Sequence, residues 1–239
     1  MRPLIYHVSR LLAKILFAPF VKIHILRPEI PRRRGAWILA ANHISHFDPP
    51  LIGIAIPGKI DWMGMVELFR IPVAGAWFRA IDTFPVDRAH LDRQAVRTAL
   101  IRLRAGRVVG IFPEGGIRDG RGSVLEGGPL RPGVASLSQM TGAPVIPCVV
   151  MGSDRIYVLP RLWRPGRRLP VWIGFGEPLS SPAGLDRVAA RAALEASLST
   201  AFQELAIEMR RHFHLTEDDL PQSPLRRRAA AAVPAGCTP

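Results

Sequence analysis

Six short apolar runs, closed by turns and mostly separated by helical stretches, constrain this chain's fold more than any other feature. They occupy residues 36–41, 60–65, 81–86, 108–112, 144–151 and 171–175. Short apolar runs bounded by Gly, Pro or polar turns read as buried strands, the third also as an extended loop. Residues 51–56, 67–78 and 92–105, and a stretch ending near Met140, read as helices. In 92–105 the apolar face runs through Val96, Leu100 and Leu103, with Arg97, Arg102 and Arg104 off it, and Gly106 closes it. Residues 183–213 read as one long Ala-rich helical segment. Strands alternating with helices predict an α/β fold: a single-domain sandwich with a mixed, largely parallel sheet flanked by helices.

Of the 239 residues, 48% are hydrophobic and 21% are charged, which suffices for one sizeable core and excludes wholesale disorder. The net charge is +13, from 32 Lys and Arg against 19 Asp and Glu. Lys stands only at 14, 22 and 59, so Arg carries nearly all of it. Such a chain suits an anionic partner: a membrane surface, nucleic acid, an acidic carrier protein or a phosphorylated substrate. The Arg residues are scattered rather than gathered in one stripe, so charge alone does not choose among these. Cys148 and Cys237 form no CxxC pattern, which argues against a disulfide framework or a zinc knuckle and fits a reducing compartment.

The N-terminus tips the choice towards a membrane, and no nucleic acid is expected. No apolar run reaches the roughly 20 residues that span a bilayer. Residues 11–26 are interrupted by Lys14, Pro19, Lys22 and His24, and no small-residue cleavage site follows. Leu4, Ile5, Val8, Leu11, Leu12, Ile15 and Leu16 recur at helical spacing among Arg2, Arg10 and Lys14. Residues 1–30 are therefore expected to form a pair of amphipathic helices that anchor the chain in the membrane interface. Packing of that face on the protein's own core is the alternative. Residues 31–215 are expected to be the catalytic domain, and 216–239, with Arg226-Arg227-Arg228 and an Ala run, a disordered tail.

The chemistry concentrates in Asn42-His43-Ile44-Ser45-His46-Phe47-Asp48-Pro49, directly after a predicted buried strand. Strand ends in α/β sheets are where functional side chains are exposed. A turn that folds back brings Asp48 to one imidazole nitrogen of His43 and leaves the other free, the base and orienter of a triad. The residues alone leave other readings open. His43 and Asp48 can be a local helix-start pair. His43, His46 and Asp48 can be zinc ligands of a lipid hydrolase, although the spacing misses HExxH. A basic protein binding anionic lipid or nucleic acid, with this box structural, is the third.

Four blocks in order then carry a resemblance. The NHx4D box at 42–48 is followed by Phe84-Pro85-Val86-Asp87-Arg88, Ile111-Phe112-Pro113-Glu114-Gly115-Gly116 and Ala143-Pro144-Val145-Ile146-Pro147. In this order the chain resembles the glycerolipid acyltransferase superfamily, to which 1-acyl-glycerol-3-phosphate acyltransferases belong. The resemblance covers residues 35–155. It implies an O-acyltransferase of phospholipid biosynthesis with His43 and Asp48 as catalytic residues and Arg88, Glu114, Gly115 and Arg118 as substrate-binding ones. It implies no metal and no cofactor beyond acyl-CoA or acyl carrier protein as co-substrate. The acceptor would be a lysophospholipid such as 1-acyl-glycerol-3-phosphate, and the place the cytoplasmic face of the cell membrane, peripheral or monotopic.

Each block also makes sense residue by residue. Arg88 offers a planar fork of donors for a phosphate, or an ion pair with Asp87 or Asp92. Glu114, ahead of two glycines, can bind a hydroxyl or Arg, or accept from neighbouring loop amides. Two departures bear on the acceptor. The family's Thr-Arg after Glu-Gly is Gly116-Ile117-Arg118 here, one residue late, and its Lys ahead of Glu-Leu is replaced at Met65-Val66 before Glu67-Leu68.

Overall fold

The computed structural model describes residues 2–90, 92–158 and 166–232. They form a single α/β domain built on a seven-stranded sheet. The strands are β1 (Val21–Leu26), β2 (Trp37–Ala41), β3 (Ile60–Met65), β4 (Phe84–Val86), β5 (Val108–Ile111), β6 (Val145–Met151) and β7 (Leu169–Phe175). Their order is β1-β7-β6-β2-β5-β3-β4. All neighbours pair in parallel except β6 and β7, so the sheet is mixed and mostly parallel, as expected. One consequence fixes the site. β6, β2, β5, β3 and β4 lie side by side and point the same way, so the segments leaving all five emerge on one edge.

The helices are α1 (Arg2–Phe17), α2 (Asp48–Ala55), α3 (Pro72–Ala80), α4 (Arg93–Arg104), α5 (Gly133–Thr141), α6 (Arg187–His212) and α7 (Pro224–Ala232). Strand side chains alternate between two cores, as the period of two requires. Ile38 and Ala40 of β2 join Ala95, Ala99 and Leu103 of α4, Val134 and Leu137 of α5, and Leu194, Leu198 and Phe202 of α6. Trp37, Leu39 and Ala41 face the other way, with Leu51 and Ile52 of α2 and with Phe17 and Phe20. α4 starts where its cap dictates: Asp92 accepts from the Ala95 amide at 2.9 Å. Its deepest residues are Ala95, Ala99 and Leu103, with Val96 and Leu100 partly buried beside them.

Three local outcomes differ from the expectation. Over 1–30 the structure has one helix followed by a strand. Val21, Ile23 and Ile25 alternate with Lys22 and His24, and β1 pairs with β7 over six residues, so the domain begins before residue 31. Helix 67–78 is broken at Pro72 into a 3-10 turn (Val66–Arg70) and α3, because proline supplies no amide to continue the first segment. The tail expected to be disordered carries a capped 3-10 turn (Glu217–Asp219) and α7. Its last part, 233–239 with Cys237, lies outside the described residues.

Candidate active site

The turn leaving β2 is built around one carboxylate. Asp48 opens α2, whose first turn holds Pro49 and Pro50 where proline costs no hydrogen bond. Asp48 Oδ2 accepts from His43 Nδ1 at 2.9 Å and from the amides of Ile44 and Ser45, both at 2.8 Å. Its other oxygen accepts from the Ser153 hydroxyl at 2.5 Å. Four donors converge on a fully buried Asp48. A carboxylate only accepts, so its partner nitrogen Nδ1 carries the imidazole proton and Nε2 keeps a free lone pair. The expected pairing of His43 with Asp48 is formed.

Residues far away in sequence fix the rest of the imidazole. The His43 ring stacks on Phe112 with centroids 4.1 Å apart, and Phe112 stacks on Trp62 at 4.9 Å. The His43 amide donates to Glu114 Oε2 at 2.5 Å, and its carbonyl accepts from the Arg118 amide at 3.0 Å. Asn42 extends the sheet beyond β2: its side chain both accepts from and donates to the backbone of Val150, at 2.7 and 3.0 Å.

Glu114 sits behind His43 as a support. Its second oxygen accepts from Ser123 Oγ at 2.8 Å and from the Val124 amide at 2.9 Å. Burial pushes its carboxyl up from 4.5 to about 7, against the pull of the His43 and Val124 amides and the Ser123 hydroxyl. Of its two readings, the structure forms the one in which loop amides are its partners. Gly115 has φ +70°, a left-handed conformation that favours glycine, and a Cβ there would stand 2.1 Å from Arg131 Nε and push that side chain aside.

A cavity of about 510 Å³ runs from His43 between α1, α2 and α3. Its wall is mostly apolar, with Phe112 and Trp62 stacked in line from the His43 ring, Met65 of β3, Gly53 of α2, and Tyr6 and Trp77 from α1 and α3. Arg88, leaving β4, and Arg10 of α1 are half-buried cations in its wall, and Arg131 donates to the Arg88 carbonyl at 3.1 Å. Burial, followed by the adjacent Arg131 charge, lowers the Arg88 pKa, with Glu67 acting the other way. The alternative ion pairs for Arg88 do not form. Asp92 accepts from the Asp87 and Ala95 amides, and Asp87 from Ala89 while facing His90. Arg118 is exposed beside Gly122 and meets the site through its amide.

His46 also lines the cavity but turns to the Tyr157 hydroxyl, which bonds its ring and accepts from its amide at 2.9 Å. Burial, then the neighbouring His43 charge, lowers its pKa. Among the described residues, no group of three His, Cys, Asp or Glu side chains is placed to hold a metal ion. Ser123, Ser153, Tyr157 and Trp62 escaped the reading of the sequence, because they come from β3 and from the segments after β5 and β6, and none stands in a recognisable local pattern.

This arrangement defines a class: a histidine held by a buried carboxylate at the carboxyl edge of five parallel strands, opening on an apolar cavity with guanidinium groups in its wall. A family model described as Acyltransferase matches residues 22–151, and the chain belongs to that family. It is 31% identical over 127 residues to a 1-acyl-sn-glycerol-3-phosphate acyltransferase of Bacillus subtilis, which covers 53% of this chain and 60% of that protein. It is 26% identical over 155 residues to the chloroplastic BAT2 enzyme of the same name from Brassica napus, 63% of this chain and 43% of that one. The chain thus spans about half the length of the curated relatives it matches. Its fold is similar to that of the 1-acyl-sn-glycerophosphate (LPA) acyltransferase PlsC from Thermotoga maritima. The TM-score is 0.59 at 23% identity, covering 85% of this chain and 81% of that one.

Proposed function

We propose that this protein transfers a fatty acyl group from an acyl thioester, acyl-CoA or acyl carrier protein, to a hydroxyl of a lysophospholipid-type acceptor. The observation that carries this is the His43–Asp48 dyad in the wall of an apolar cavity. His43 Nε2 takes the proton of the acceptor hydroxyl while Asp48 holds Nδ1–H and balances the imidazolium. The oxygen attacks the thioester carbonyl, a C–O bond forms, and collapse of the tetrahedral intermediate breaks the C–S bond. The thiolate then takes the proton back from His43. The cavity suits an acyl chain, since its volume falls in the roughly 300–1,000 Å³ of small-molecule sites and its wall is chiefly apolar.

The names of the relatives support 1-acyl-glycerol-3-phosphate as acceptor, and Arg88 in the cavity wall is the group to meet its phosphate. Met65, standing where the resembling family carries Lys, favours an acceptor with less anionic charge. A panel of acceptors separates the two.

The proposed setting is peripheral, at the cytoplasmic face of the cell membrane. Supporting it, α1 turns Tyr6, Arg10, Ala13 and Phe17 inwards and leaves Leu4, Leu11, Leu12, Ile15 and Leu16 57–67% exposed. Val73 and Trp77 of α3 continue that surface, tied to α1 by the Trp77 indole donating to Ser9 at 3.1 Å. Among the described residues no helix is long and apolar enough to cross a membrane. The free, buried Cys148 is compatible with a reducing side.

The test is thiol release from palmitoyl-CoA or palmitoyl carrier protein with lysolipid acceptors. Acceptor-dependent release is expected, falling by about 10²–10⁴-fold in His43→Ala. Release that is independent of acceptor, or equal in the variant, overturns the mechanism.

A further inference from the structure

The C-terminal segment grips the two loops that hold Asp48 and Glu114. In α7, Leu225 is 80% exposed, so the helix is not docked by burying that leucine. The contacts are polar instead. Arg227 reaches the fully buried Asp154 through Nε at 2.7 Å and Nη2 at 2.6 Å, and the Gln222 amide adds a third donor at 3.3 Å. Arg227 also bonds the carbonyls of Asp218 and Leu220, which sets its fork against the turn before α7. Asp219 pairs with Arg155 at 2.5 Å, and the Arg228 guanidinium lies 5.5 Å from the Tyr157 ring centre.

Asp154, Arg155 and Tyr157 all lie on the turn Ser153–Val158 that leaves β6. Ser153, next to Asp154, donates to Asp48, and Tyr157 binds His46. The same segment touches a second loop, where Asp119 accepts from the Ser223 amide at 2.7 Å and faces Arg226 at 3.4 Å. That loop carries Ser123 and Val124, the donors to Glu114. A buried carboxylate at 154 needs a counter-charge, since burial raises its pKa and Arg227 opposes that. The only segment that supplies this charge among the described residues is one that also spans both supporting loops.

We propose that residues 216–229 are a clasp on the active site and that Arg227 is a positioning residue, acting on Asp48 through Asp154 and Ser153. The inference rests on the acyl-transfer reading for its kinetic test, though not for its spectroscopic one. In the full chain, Arg227→Met is expected to lower kcat by about 10- to 100-fold, as small misplacements of catalytic groups do, with both KM values unchanged within about twofold. Asp154→Asn with Arg227→Met removes the stranded charge, so it regains thermal stability while turnover stays low. Ser153→Ala lowers kcat to the same degree, and adding it to Arg227→Met costs little more, since both act on one contact.

Three results overturn the clasp: wild-type turnover in the double variant, full additivity of Ser153→Ala and Arg227→Met, or a loss confined to KM. The proton–carbon resonance of the His43 ring gives a readout that needs no turnover. It is expected to move in Arg227→Met and in the double variant, and an unmoved resonance defeats the proposal. A wild-type protein that releases no thiol with any donor and acceptor defeats the acyl-transfer reading alone, and the His43 resonance then decides the clasp.

Discussion

One face of the sheet is sealed by α4, α5 and α6, the other only partly covered by α1, α2 and α3. On the sealed face, α6 sets Ala190, Leu194, Leu198, Phe202, Leu205, Ala206 and Met209 along one stripe, all buried. On the other, α2 packs closely, but α1 and α3 stand off far enough to leave the cavity and turn leucines, Val73 and Trp77 outwards. Both faces start from equally apolar strands. The difference is what the covering helices do with their second face: α4 and α6 turn out mainly polar or small residues, with Ile101, Val188 and Ile207 scattered among them, whereas α1 keeps large apolar side chains along its outer side. The sealed face holds the domain together, and the open one is where a lipid chain would enter.

That contrast yields predictions of decreasing size. Phe202→Ala, at the centre of the sealed face, is expected to cost about 3–5 kcal/mol in denaturant unfolding, with the KM for the acyl donor unchanged in the folded protein. A changed donor KM with little loss of stability would erase the distinction between the faces. On the open face, Leu12→Ser is expected to weaken binding to anionic vesicles by about 10- to 100-fold, the worth of one buried leucine at roughly 1.5–3 kcal/mol. Its folding stability should stay within about 0.5 kcal/mol of wild type, since the side chain is 60% exposed. Equal vesicle binding would assign the α1 surface to some other contact.

The pH dependence belongs to Glu114, at the edge where the faces meet. Its native carboxyl keeps a proton up to about 7, while the unfolded chain releases it near 4.5. The native state therefore binds more protons between those values, and this contribution to stability is lost as pH rises through about 7. Thermal melts of the wild type should fall from pH 5 to 8 relative to Glu114→Gln. Parallel curves for the two proteins would show that the donors from His43, Ser123 and Val124 overcome the burial.

The parts legible in the sequence are those whose partners are near in the chain. β3 was placed to the residue, and α2, α4, β5 and β6 to within a few, because a short apolar run or a capped periodic stretch carries its own signal. The His43–Asp48 pair was legible for the same reason: a five-residue turn closes on itself through the amides of Ile44 and Ser45. β1 was missed because its alternation over 21–26 runs straight on from an apolar helix, and only β7, about 150 residues away, makes it a strand. The C-terminal turn and α7 were missed because an Arg- and Ala-rich stretch gives no periodic signal, and their partners are the buried Asp154 and the half-buried Asp119, far away in the chain.

By itself the sequence determined the α/β alternation, the ordered blocks and the dyad, all of which follow from local patterning and short-range hydrogen bonds. The tertiary structure decided how the dyad is held. Strand order β6-β2-β5-β3-β4 gathers Ser153, His43, Glu114, Met65 and Arg88 on one edge, though they are spread over 111 positions of the chain. It bonded Glu114 to the His43 amide, turned the Arg118 side chain outwards and set Phe112 under the imidazole. Those roles depend on which strands are neighbours, and parallel pairing joins residues whose separation leaves no mark in the local sequence.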